Sequence, residues 1–204
     1  VREGLDVGGN DVLDLALSDR ITDYSASFYY DSSSDWYIEN KQTTYASDGS
    51  GTATELGKSY TRLTGFPANR ISQTNRYDIN GNLTIAYTTV DRTNKKVTNT
   101  VDTPDSTTDA VEIVYNGMTV ESTDQAGITM EYEYDGLGRI SKSIDPRTRT
   151  TTTAYQTGSS QVDTVTDPAS IVQATYTYDS DSGRVTSVKN GDNKYTYYDY
   201  NTRG

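Results

Sequence analysis

The chain has 204 residues and a formal net charge of -11 at neutral pH, with no Cys, no His and 18 Tyr against 2 Phe. Disulfide scaffolds, thiolate and imidazole zinc sites, thiol nucleophiles and the Ser-His-Asp triad each need a residue that is absent. The acidic balance also argues against a nucleic-acid partner, because phosphate affinity comes from Lys and Arg releasing counterions.

Only 32% of the residues are hydrophobic, and the mean hydropathy is -0.76. The chain is nevertheless rich in Tyr, Thr and Val, which suit a pleated, half-buried surface and are scarce in disordered segments. An all-β protein with a thin core is expected. No apolar run approaches the roughly 20 residues that span a bilayer as a helix, so membrane insertion is not expected. Val1-Arg2-Glu3-Gly4 lacks an initiator Met and an apolar leader, which predicts a mature or excised piece of something longer.

In chain order, Leu13, Leu15 and Leu17 alternate with polar or small residues and predict a strand. Phe28-Tyr29-Tyr30-Asp31 and the lone Trp36 follow, and Ser47-Asp48-Gly49-Ser50-Gly51 predicts a loop. Residues 1–68 form a divergent, β-rich head. From residue 69 to 204 the pattern becomes regular, opening with Tyr77-Asp78-Ile79-Asn80-Gly81-Asn82-Leu83. The sequon Asn82-Leu83-Thr84 matters only under eukaryotic secretion. Val90-Asp91 to Val101-Asp102 is a degenerate unit. Tyr115, Tyr134, Tyr155, Tyr178 and Tyr198 then recur at intervals of 19, 21, 23 and 20 residues. A fixed period of this size is a repeat signature.

Within one period, Met130, Tyr132 and Tyr134 alternate before a turn, and Ile140, Lys142 and Ile144 alternate after it. Ala174, Tyr176 and Tyr178 with Val185, Ser187 and Lys189 repeat the arrangement. The Asp-x-x-Gly and Asp-x-x-x-Gly segments between them supply turn residues, so each unit predicts a β-hairpin. Pro104, Pro146 and Pro168 follow the second strands and are expected where pairing stops. The predicted fold is a repetitive antiparallel hairpin sheet. It should be coiled or curled and need neighbouring repeats or subunits to complete it, since one layer cannot bury its apolar side.

These units resemble the YD repeat of the RHS family, whose pattern is approximately Tyr-Asp-x-x-Gly-Arg-Leu, a short strand and an Asp. Tyr134 to Asp145 match it almost fully, Tyr178 to Val185 with one inserted residue, and Tyr77 to Leu83 with Asn82 in place of Arg. The resemblance implies a bacterial or teneurin-like secreted or surface protein, usually very large, whose repeats coil as a continuous sheet and in some members close into a hollow shell around cargo. The family's Pro- and Gly-rich autoproteolytic core has no match here, so protease activity does not carry over. Joined tail to head, Tyr200-Asn201-Thr202-Arg203-Gly204 and Val1-Arg2-Glu3 read like the start of a further unit. One period of a tandem array and an arbitrary cut are both open.

The expected structural positions are Tyr77, Asp78, Gly81, Tyr115, Tyr134, Asp135, Gly138, Arg139, Tyr155, Tyr178, Asp179, Gly183, Arg184, Tyr198 and Asp199. Tyr132/Tyr134, Tyr155, Tyr176/Tyr178 and Tyr195/Tyr197 are expected on neighbouring strands as a stacked column, with cross-strand pairs contributing about 0.2–1 kcal/mol each. Arg139 and Arg184 are expected to form ion-pair ladders between hairpins. Asp78-x-Asn80-x-Asn82 and Asp179-x-Asp181-x-Gly183 place oxygens at alternate positions, as calcium requires, but neither completes an EF-hand loop. Turn formation is the preferred explanation, with no cofactor expected. No segment singles out a catalytic acid pair of the glycosidase kind. The expected role is therefore non-enzymatic and structural, in an extracellular fibre or wall whose partners are adjacent repeats or further copies. A cargo-enclosing shell fragment and a glycan-binding adhesin module, with exposed Tyr or Trp36 on one face, are the alternatives.

Overall fold

The computed structural model describes residues 1–6, 9, 11–14, 19–46 and 50–201. Among them every regular element is a strand. Sixteen strands form one antiparallel sheet, ordered as in the sequence. The all-β expectation holds, with no closure of the sheet into a barrel. Leu13 lies outside any strand, and Leu15, Leu17 and residues 47–49 and 202–204 fall outside the described residues.

Contacts divide the chain into two units. The first, Val1–Asn116 with Asp124–Gly127, holds β1 (Arg2–Leu5), β2 (Arg20–Tyr30), β3 (Trp36–Tyr45), β4 (Ala53–Arg62), β5 (Arg70–Tyr77), β6 (Leu83–Asp91), β7 (Lys96–Asp102) and β8 (Ala110–Tyr115). The second, Gly117–Thr123 with Ile128–Gly204, holds β9 (Met118–Thr123), β10 (Thr129–Tyr134), β11 (Ile140–Ile144), β12 (Thr150–Tyr155), β13 (Val162–Thr166), β14 (Val172–Tyr178), β15 (Val185–Asn190) and β16 (Tyr195–Tyr197). Strands β4 and β5, on either side of residue 68, pair with each other inside the first unit.

One five-residue loop recurs at six of the reversals. In Asp135-Gly136-Leu137-Gly138-Arg139, the Asp135 amide donates to the Arg139 carbonyl at 2.9 Å and the Gly138 amide to the Asp135 carbonyl at 3.0 Å. Asp135 Oδ1 accepts the amides of Leu137 and Arg139 at 2.9 and 3.0 Å. The fourth residue, Gly138, takes a left-handed φ of 78°. Asp78 to Asn82 repeats this pattern. So do Asp145-Pro146-Arg147-Thr148-Arg149 and Asp167-Pro168-Ala169-Ser170-Ile171. Asp31 to Asp35 and Asn190 to Lys194 are further copies, in the head and near the C-terminal end.

Pro146 and Pro168 therefore sit as second residues of tight turns, where a fixed φ near -65° is wanted and no ladder amide is lost. The ladder ends at them, as expected. The strands they join nevertheless pair with each other, β11 with β12 and β13 with β14. Both ends of a hairpin are thus further hairpin turns, which makes the sheet a simple meander.

The core is thinner than the composition alone conveys. Among the described residues, Ile21 and Tyr37 are the only buried apolar side chains, while Phe28, Leu137 and Tyr197 are about seven-tenths exposed. Backbone ladders and side-chain hydrogen bonds must carry much of what a packed core supplies in a two-layer fold.

Candidate functional site

In the second unit the repeat tyrosines occupy one kind of place. Tyr134, Tyr155 and Tyr178 end β10, β12 and β14, and at each the register slips by one residue against the following strand, opposite Ile140, Val162 and Val185. The extra residue at each slip, Ser141, Asp163 or Thr186, lies on the following strand, so each tyrosine keeps the alternation of its own strand. The tyrosine hydroxyl reaches back to the preceding strand. Tyr134 Oη donates to the Thr119 carbonyl at 2.6 Å, Tyr155 Oη to Ile140 at 2.9 Å, and Tyr178 Oη to Val162 at 2.8 Å. Tyr200 Oη makes the same bond to Val185 at 2.9 Å. At the C-terminal end it is therefore Tyr200 that makes this bond, while Tyr198 is held through its amide, which donates to the Thr186 carbonyl.

The residue before the accepting carbonyl completes the latch. The Arg139 guanidinium lies 4.1 Å from the Tyr155 ring centroid, and that of Arg184 lies 5.2 Å from Tyr200. Arg139 also bonds Asp135 of its own turn and the Ser159 carbonyl of the following connection. Gln161 stands in the same place before Val162 and donates to the Gly183 carbonyl at 2.9 Å. The expected ladder of ion pairs between hairpins is thus corrected for Arg139. Its ion pair stays inside its own turn, and what crosses to the next hairpin is a ring contact and a bond to a backbone carbonyl.

The expected column of tyrosines is corrected as well. Successive repeat tyrosines lie on alternate strands, about two strand spacings of 4.8 Å apart, beyond the 4.5–7 Å at which rings interact. The ring pairs that form are within a strand, Tyr176 with Tyr178 at 6.5 Å and Tyr195 with Tyr197 at 5.8 Å. The pairings Thr177↔Ser187 and Ser187↔Tyr197 also put Tyr195 and Tyr197 on the face opposite Tyr176.

Cross-strand stacking occurs in the first unit instead. There, four consecutive strands each contribute one ring to one face: Tyr29 from β2, Tyr37 from β3, Tyr60 from β4 and Tyr77 from β5. The register sets this, with Tyr29 opposite Tyr37, Glu39 opposite Tyr60 and Lys58 opposite Tyr77. Tyr60 is central, 5.3 Å from Tyr29, 6.5 Å from Tyr37 and 6.0 Å from Tyr77, with interplanar angles of 52°, 86° and 86°. Its hydroxyl donates to Glu39 Oε1 at 2.8 Å. Burial, and then this carboxylate, push the Tyr60 pKa well above that of a free phenol. Burial likewise raises that of Tyr37.

The four rings line a groove of about 510 Å³, whose rim carries Asp31, Glu55, Lys58 and Asp78. Glu55 bridges Lys41 at 2.8 Å and Lys58 at 3.1 Å, and hydrogen bonds from Lys41 and then Lys58 hold its pKa below the usual glutamate range. At the far end Arg62 pairs with Asp35 and bonds the carbonyls of Thr64 and Gly65. Gly65 has a φ of 65°, and a Cβ there would collide with the Asp35 carboxylate. Trp36 lies on the other face, 4.8 Å from Tyr30 and nearly half exposed.

The remaining expected positions serve turns and strand ends. Asp78 Oδ1 accepts the amides of Asn80 and Asn82, and Oδ2 accepts Asn82 Nδ2. Asp179 Oδ1 accepts the amides of Asp181 and Ser182 and the Ser182 hydroxyl. Both carboxyls are shifted below the ordinary aspartate value by these bonds. Gly81, Gly138 and Gly183 each adopt the left-handed conformation, and Tyr115 ends β8 opposite Lys96. Asp199 lies beyond β16. Sequence reasoning missed the latch and the groove. The available signal for the latch was the 15- or 16-residue step from Thr119, Ile140, Val162 and Val185 to Tyr134, Tyr155, Tyr178 and Tyr200. Comparison with known proteins finds no matching family model and no matching curated protein.

Proposed function

We propose that the chain is a non-enzymatic, structural YD-repeat sheet of a large extracellular or surface protein, building a wall or fibre by strand pairing between successive repeats or neighbouring copies. The observation that carries this reading is the recurrence of one latch at Tyr134, Tyr155, Tyr178 and Tyr200. A side chain spent on bonding the preceding strand's backbone is spent on holding the sheet. The turn aspartates fit the same purpose, since Asp78, Asp135, Asp145 and Asp167 direct their carboxylate oxygens into their own loops. These bonds lower their pKa values, the opposite direction from that of a general acid tuned toward neutral pH. Negative-stain imaging of the native material is the test. Filaments or extended walls are expected. Closed shells would replace the reading with cargo enclosure, and dispersed 22.5 kDa monomers would overturn it.

A further inference from the structure

We infer that the tyrosine groove of the first unit is a binding site for a quaternary ammonium group, of the kind carried by choline or a trimethylated amine. This inference rests on the groove alone and stands independently of the structural role proposed above.

The ring geometry is the first argument. Tyr29, Tyr37 and Tyr77 each contact Tyr60, at interplanar angles from 52° to 86°, so the groove wall presents ring faces in several orientations instead of one flat platform. Ring faces of this kind recognise quaternary ammonium, because each presents the negative lobe of its quadrupole. The protein already places its own cations on these rings. Lys58 Nζ lies 5.7 Å from the Tyr77 centroid and the Arg62 guanidinium 5.6 Å from that of Tyr37.

Charge is the second argument. The groove lining holds three carboxylates, Asp31, Glu55 and Asp78, against one cation, Lys58, in a chain of net charge -11. A cation is drawn in and an anion repelled.

Hydrogen bonding separates this ligand from a sugar. Glu55 is engaged by Lys41 and Lys58. Asp78 is engaged by Asn80 and Asn82. Asp31 Oδ1 holds the amides of Ser33 and Asp35. These carboxylates offer field more than acceptor sites. A pyranose needs directed partners for its hydroxyls, whereas a quaternary ammonium donates no hydrogen bond and is satisfied by field and ring faces. A volume of about 510 Å³ accommodates the head group with a substituent.

Calorimetric titration of the full chain at low salt with choline chloride, 3,3-dimethylbutan-1-ol, phosphocholine and glucose tests this. Choline is expected to bind, and its neutral isostere to bind about tenfold more weakly or not at all. Phosphocholine should bind more weakly than choline, because its phosphate meets the acidic rim. Tyr29→Phe should keep the affinity within about twofold, and Tyr29→Leu should lose about fivefold or more. Tyr77→Leu is the second variant, with thermal melts confirming that each is folded. Equal affinity for choline and the isostere would reduce the groove to an apolar slot and overturn the inference. So would glucose binding without choline, phosphocholine binding more tightly than choline, or no binding of any probe.

Discussion

Tyr155 meets the sheet twice, through a hydroxyl bond to the Ile140 carbonyl and through a ring face under Arg139. The two can be separated. Tyr155→Phe keeps the ring and should cost about 0.5–1.5 kcal/mol. Tyr155→Leu should cost about 0.5–1 kcal/mol more, the value of a cation–π contact at a partly exposed site. Denaturant melts of both variants check this, and equal midpoints would mean that the ring face contributes nothing. The turn aspartates give a pH prediction of definite sign. Asp78, Asp135, Asp145, Asp167 and Asp179 have folded-state pKa values below the ordinary 3.8, held down by hydrogen bonds from their own loops. The stability they contribute is fully present above that ordinary value. It is lost as pH falls through the lower folded-state values. Thermal melts between pH 7 and pH 2 should hold steady down to the unfolded-state aspartate range and fall below it. A midpoint that rises on acidification in that window would contradict the turn assignment.

At the scale of the element, the left-handed fourth residue of the loop is the constrained position. Gly81 and Gly138 meet it freely, but Thr148 and Ser170 adopt φ of 60° and 63° at the same place. A left-handed L-residue costs about 1–2 kcal/mol, and a glycine gives back about 0.5–1 kcal/mol through the unfolded chain. Thr148→Gly should therefore stabilise by about 0.5–1 kcal/mol, and Gly138→Ala should destabilise by about the same 0.5–1 kcal/mol. Space does not intervene at Gly138, where an added Cβ would meet only Met118 Sδ at an ordinary 3.6 Å. Opposite signs for the two variants in chemical denaturation are the expected outcome. The loop also explains how Asp-Pro and Asp-x-x-Gly serve alike. One fixes the second residue and the other frees the fourth, and both leave the aspartate in charge of the amides.

For the whole molecule, strand order equal to sequence order means that each repeat touches chiefly its neighbours, as in a solenoid. A complete period should then be removable. Deleting Asp135 to Tyr155 joins Tyr134, with its bond to Thr119, directly to the connection that begins at Gln156. It leaves the Tyr178 to Val162 latch intact. The shortened chain should fold with unchanged β-sheet circular dichroism per residue. A deletion of the same length starting inside β10 should not. If both deletions fold equally well, the latches do not define the repeat.

The all-β class, the hairpin unit, its period and its turn aspartates were legible in the sequence because they are local. Alternation over six residues, an Asp three or four places before a Gly, and a recurring Tyr are all set within one turn of chain. Tertiary structure alone decided what each tyrosine touches. The spacing of Tyr134, Tyr155 and Tyr178 placed them in one column by pattern, but an intervening strand separates each from the next, and their hydroxyls bond backbone carbonyls of the preceding strand instead. Conversely, Tyr29, Tyr37, Tyr60 and Tyr77 share no period, and they meet because consecutive strands of the first unit pair in a register that puts them on one face. Periodicity determines which face a side chain takes within a strand. Register, which depends on turns and bulges elsewhere in the chain, determines its neighbour across the strand.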